Sequence, residues 1–96
     1  MMQIVQPAFQ KYLFVCEHER SEGDFCGAAG MRIRERLKDT VKRMGLASKV
    51  RVSRTGCLDV CAEGPSVLLM PDNLWFKRVS EDDIEVILRK ACEGLT

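Results

Sequence analysis

The sequence predicts a small α/β domain in which two helices pack on a four-stranded mixed sheet, in the order β-α-β-β-β-α. Three observations predict it. A β-branched and aromatic run, "KYLFVC" (11–16), precedes a stretch with apolar residues every three or four positions, and then comes the alternating run "KVRVSR" (49–54). Two further apolar runs, "SVLLM" (66–70) and "LWFKRV" (74–79), flank the turn "PDN" (71–73) and read as a hairpin. The last stretch opens on a helix-capping pattern and keeps helical spacing to the end. With 96 residues the chain has room for one such domain and one core.

Residues 1–10 carry no periodic pattern and read as a tail ahead of a domain spanning 11–96. The charged segment "EHERSEGDF" (17–25), with Gly23 inside it, is a loop. From about Ala28, Ile33, Leu37, Val41 and Met44 recur at helical intervals, with Arg32, Arg36, Lys38, Asp39 and Arg43 on other faces. Gly45 suits the end of that helix. Val50 and Val52 then share one face of the second strand. A strand–helix–strand connection of this kind is right-handed and leaves its two strands parallel. Ser80 and Asp83 form a capping box, Glu81 and Asp82 suit a helix N-terminus, and Ile84, Ile87, Leu88 and Ala91 supply the apolar stripe of a helix running to about Glu93. Two helices on such a sheet make a reduced thioredoxin-like domain.

Composition removes several function classes. A hydrophobic fraction of 46% argues against disorder and fibrous structure. A net charge of +1 leaves no bulk electrostatic case for a nucleic acid or a membrane surface. The first helix, "MRIRERLKDTVKR", is basic, but Glu35 and Asp39 interrupt it and no aromatic platform accompanies it, so no nucleic-acid partner is expected. No apolar run is long enough to span a bilayer. The opening "MMQIVQPAFQ" lacks the basic and apolar regions of a signal peptide, so the expected compartment is the cytoplasm.

Five cysteines are many for a chain of this size in a reducing compartment. Their odd number leaves one thiol over in any disulfide framework, which makes metal or cluster ligation by four of them the better reading. Cys16 ends the first strand, Cys26 immediately precedes the first helix, and Cys57 and Cys61 sit in the loop after the second strand. If those two strands are parallel neighbours, their C-terminal ends share one sheet edge, and all four thiols come from the two loops there. Cys92 falls four residues after Leu88 on the apolar face of the last helix and reads as a small core hydrophobe. A structural zinc site stays open, because the Cys57–Cys61 spacing lies within the zinc range, although the nine residues between Cys16 and Cys26 are too many for a zinc knuckle. A thioredoxin-type dithiol needs Cys-x-x-Cys at a helix N-terminus, and a Rieske centre needs two histidines. The chain has no such pair, and His18 is its single histidine, in a loop setting.

The stretches "FVC", "CGAAG", "GCLDVCAEGPSVLLMP" and "LWFKRVSEDDIEVIL" together resemble the thioredoxin-like [2Fe-2S] ferredoxins, also called Shethna-type, over about residues 11–93. The pattern of "GCL-x-x-C-x-x-GP" before an apolar strand and an aromatic hairpin is the most specific part. The resemblance implies that Cys16, Cys26, Cys57 and Cys61 hold one [2Fe-2S] cluster, and that the protein is a soluble one-electron carrier, commonly a homodimer. The segment between Cys16 and Cys26 is shorter than the family usually has, which alters the loop and whatever docks on it.

The two loops carry Glu17, Glu19, Glu22, Asp24, Asp59 and Glu63 against Arg20 alone. They form either a solvated surface or an acidic docking face for a redox partner, a separate oxidoreductase. Trp75 and Phe76 in the hairpin are apolar candidates for a contact between two copies. No catalytic activity is expected: a cluster whose thiolate positions are filled leaves none for a substrate, and the sequence offers no other acid–base or nucleophilic constellation. The alternative is a structural or regulatory module in which zinc or a cluster serves as a staple on the same four cysteines.

Overall fold

The computed structural model describes residues 1–17, 27–56 and 65–95. Its elements follow the expected order: β1 (Lys11–Cys16), α1 (Gly27–Arg43), β2 (Val50–Thr55), β3 (Val67–Met70), β4 (Leu74–Phe76) and α2 (Ile84–Cys92). They build one mixed sheet in the order β2-β1-β3-β4. β1 is parallel to β2 and antiparallel to β3, and β3 is antiparallel to β4.

Strand alternation divides the sheet into two unlike faces. Leu13, Val15, Val50, Val52, Val67 and Leu69 are buried and form one core with Ile33, Leu37 and Val41 of α1 and Ile84, Ile87, Leu88 and Ala91 of α2. Both helices therefore cover this face. Tyr12, Phe14, Leu68 and Met70 point to the other face and are half-buried, with Trp75 opposite Leu68 and 42% exposed. The rings of Tyr12 and Phe14 stack at 5.9 Å, and Phe9 meets Tyr12 edge-on at 5.8 Å. The hairpin's two aromatic residues thus part company: Phe76 packs against the core, while Trp75 lies on the open face.

Three details differ from the sequence expectation, each for a local reason. Met44 does not join the core but is 49% exposed. The helix has ended before it: Gly45 takes φ +72°, its N–H donates to the Lys42 carbonyl at 3.1 Å, and Leu46 N–H donates to the Val41 carbonyl at 2.9 Å. These are the two bonds of a Schellman end, and they turn Leu46 onto the core in place of Met44. The last strand stops at Phe76 instead of continuing to residue 79, because Arg78 adopts φ +53°, a left-handed conformation that interrupts extended backbone. The chain returns beside the entry to β3 through the Val79 N–H, which donates to the Pro65 carbonyl at 3.0 Å. The capping pattern at Ser80 serves a short 3-10 turn, Glu81–Asp83, ahead of α2. The Asp83 carboxylate accepts from the Ser80 N–H at 2.9 Å and from its hydroxyl at 3.1 Å.

The far end of β1 is fixed by charge. Lys11 is buried, and its ammonium reaches both carboxylate oxygens of Asp72 at 2.7 and 2.8 Å. A buried ammonium is tolerable only when paired in this way. The pair ties the start of β1 to the β3–β4 turn and so holds the central strand against its hairpin.

Candidate metal centre

Cys16 is the last residue of the central strand, and its side chain is fully buried. On one side it is in register with Thr55, the last residue of β2, and the next N–H, that of Glu17, donates to the Thr55 carbonyl at 3.0 Å. On the other side the Cys16 N–H donates to the Ser66 carbonyl at 3.1 Å. The Val15–Val67 pairing, extended by one residue, sets Cys16 opposite Ser66. From the helix layer comes a third neighbour. A Cβ added to Gly30 would lie 2.2 Å from the Cys16 carbonyl oxygen, so α1 touches the end of β1 only because residue 30 has no side chain.

These contacts define the edge at which the thiols were expected. The chain leaves β1 at Cys16 and enters α1 at Gly27, three residues from Gly30. It leaves β2 at Thr55 and returns at Pro65 and Ser66, ahead of β3. All four chain ends therefore meet around Cys16. Cys26 is the residue before Gly27, and Cys57 follows Gly56. Cys26, Cys57 and Cys61 lie outside the described residues, as do His18, Glu19, Arg20, Glu22, Asp24, Asp59 and Glu63. Among the described residues, no three His, Cys, Asp or Glu side chains gather at one point.

Cys92 stands apart from this edge. It is half-buried, not a full core residue, and lines a shallow cleft with Met44, Arg43 and Leu88 at the C-terminal end of α1. From Gly30 to that end is 10 to 14 residues, roughly 15–20 Å of helix at 1.5 Å per residue. Cys92 cannot share a metal with Cys16.

Two polar groups at the edge were not singled out by the sequence reading. The Glu17 carboxylate is bound by Arg34 Nε on α1, and its side chain is only 6% exposed. One of the six loop acids is thereby removed from any docking face and ties the strand end to the helix instead. The second group is the Ser66 hydroxyl, which is buried and has no hydrogen-bond partner among the described residues. A neutral hydroxyl left so costs about 1–3 kcal/mol. A buried thiol and a buried donor without an acceptor, side by side where four chain ends converge, suit a bound group with anionic sulfur. A thiolate is such an acceptor, and the residues present fit a cluster held by thiolates.

No protein-family model matches the chain. Over 87 residues it is 33% identical to a 2Fe-2S ferredoxin of Clostridium pasteurianum, an alignment covering 86% of this chain and 85% of that protein. Over 89 residues it is 29% identical to a 2Fe-2S ferredoxin of Aquifex aeolicus strain VF5, covering 88% and 80% respectively. Among solved structures it is similar to the wild-type thioredoxin-like [2Fe-2S] ferredoxin from Aquifex aeolicus, with a TM-score of 0.78 at 25% identity, covering 91% of this chain and 89% of that one.

The Gly30 contact generates a test. Gly30→Ala places a methyl group against the Cys16 carbonyl, and either the helix or the strand end must move. The metal-free protein should lose about 1–3 kcal/mol of stability, as overpacked cores do. Chemical denaturation measures this, and an unchanged midpoint would show that α1 does not bear on Cys16.

Proposed function

The chain belongs to the thioredoxin-like 2Fe-2S ferredoxin family, and from that premise we propose that it is a one-electron carrier whose Cys16, Cys26, Cys57 and Cys61 hold a single [2Fe-2S] cluster. The observation that carries the ligand assignment is the meeting of four chain ends around the buried Cys16 thiol. When bound, the cluster supplies reversible one-electron transfer. The chain's own residues do the rest. Cys16 enters from the rigid end of the central strand. Gly30 lets α1 close over the backbone behind it, and the Glu17–Arg34 pair locks that closure. A strand end held from three sides changes little in position between oxidation states, which keeps the reorganisation accompanying electron transfer small.

The partner is a separate oxidoreductase that docks on the acidic loops. With Glu17 internally paired, Glu19, Glu22, Asp24, Asp59 and Glu63 remain as the acids of that face. The working compartment is the cytoplasm, whose reducing conditions keep the thiols available for iron. No helix among the described residues is long and apolar enough to cross a membrane. The chain itself turns over no substrate. Two copies associate, and the half-covered sheet face of Tyr12, Phe14, Leu68, Met70 and Trp75 supports that reading.

Serine substitution, one cysteine at a time, tests the ligand set. Replacing Cys16, Cys26, Cys57 or Cys61 should bleach or destabilise the visible chromophore and alter the EPR signal of the reduced protein, while Cys92→Ser leaves both unchanged. Loss of the cluster in Cys92→Ser together with retention in Cys26→Ser would overturn the assignment. Light scattering tests the assembly. The expected mass is close to twice the 10.9 kDa of the chain, and Trp75→Glu should lower it toward a single copy. A wild-type protein that stays at 10.9 kDa at micromolar concentration removes the dimer.

A further inference from the structure

Ser66 occupies an unexpected place. It is the one polar residue in the run from Pro65 to Met70, it is wholly buried, and its hydroxyl has no partner among the described residues. Its neighbours explain its depth but not its chemistry: Val67 and Val15 are also fully buried, and no apolar packing requires a hydroxyl here. Register makes the position informative. Val15 pairs with Val67 in an antiparallel ladder, so Cys16 and Ser66 are the next opposed pair, and the Cys16 N–H donates to the Ser66 carbonyl at 3.1 Å. Directly opposed residues of an antiparallel pair project to the same face, with Cβ atoms about 4.5–5.5 Å apart. From Cβ positions that close, a hydroxyl can reach a thiolate sulfur by a side-chain rotation. Both side chains are excluded from water, so solvent cannot supply the missing acceptor.

We propose that the Ser66 hydroxyl donates a hydrogen bond to the Cys16 thiolate of the bound cluster and raises its reduction potential. The inference rests on the ferredoxin reading above and deepens it by assigning a residue that tunes the centre. The physical argument is electrostatic. An added electron makes the sulfurs more negative, so a donor aimed at one of them stabilises the reduced form more than the oxidised form. In a water-excluded pocket this preference is not screened. The serine's other contact, through its carbonyl to the Cys16 N–H, is a backbone bond that any residue at position 66 would make. Only the side chain differs between serine and alanine, which makes the hydroxyl separable by mutation.

The experiment compares wild type, Ser66→Ala and Ser66→Thr as cluster-loaded proteins and as metal-free chains. In Ser66→Ala the ratio of reduced to oxidised protein at a fixed potential should fall about tenfold, equivalent to about 59 mV for a one-electron couple. Ser66→Thr, which keeps the hydroxyl, should return most of the shift. Resonance Raman spectra should show an iron–thiolate band that moves on transfer to deuterium oxide in wild type and in Ser66→Thr, and does not move in Ser66→Ala. The metal-free Ser66→Ala chain should be no less stable than wild type, since it loses only an unpartnered group. A coloured Ser66→Ala protein with wild-type potential and wild-type deuterium sensitivity overturns the role of Ser66 and leaves the cluster reading intact. A wild-type protein that binds zinc and forms no chromophore overturns both.

Discussion

Everything at the candidate centre depends on the position of β1 in the middle of the sheet. A strand paired on both sides has its end fixed by two ladders, and β1 ends at Cys16. The parallel pairing brings the exit of β2 beside it, the antiparallel pairing brings the entry to β3, and the Gly30 contact brings the first turns of α1. Moving β1 to an edge would leave one flank of Cys16 without a neighbour. The remote Lys11–Asp72 pair matters for the same reason, because it holds the opposite end of that strand to the hairpin.

Charge at this edge serves the structure. Glu17 neighbours Cys16 in sequence, yet its carboxylate faces Arg34 and is withdrawn from solvent. A carboxylate left unpaired there would place an uncompensated negative charge beside the buried Cys16 thiol. Pairing it with a guanidinium removes that penalty and fastens the helix to the strand. Glu17 thus serves the fold at this edge and not the display of charge to a partner.

How much of this was legible in the sequence follows from which signals are local. The core was legible because period: Val50 and Val52, Ile33 and Leu37, and Ile84 with Leu88 all sit where their spacing placed them. The shared edge of the two strand ends was legible because a strand–helix–strand unit has few ways to fold. Met44 and the end of β4 were misread because backbone dihedrals at Gly45 and Arg78, rather than hydropathy, decide where those elements stop. Cys92 lies away from Cys16, and its half-exposure depends on how α1 and α2 meet at their far ends, which spacing on one helix does not reveal. Glu17–Arg34 and Ser66 were invisible for a related reason. Each gains its role from a partner on another element, and the sequence shows only one acid among six and one serine in an apolar run.

What separates an electron carrier from a metal-stapled module is whether these thiols hold iron and sulfide or a lone structural metal. Metal and acid-labile sulfide analysis of the protein as purified without air tests it most directly. The expected result is iron and inorganic sulfide in equal amounts, with zinc at background and a reddish chromophore that bleaches reversibly on reduction. A colourless protein with stoichiometric zinc and no labile sulfide would contradict it.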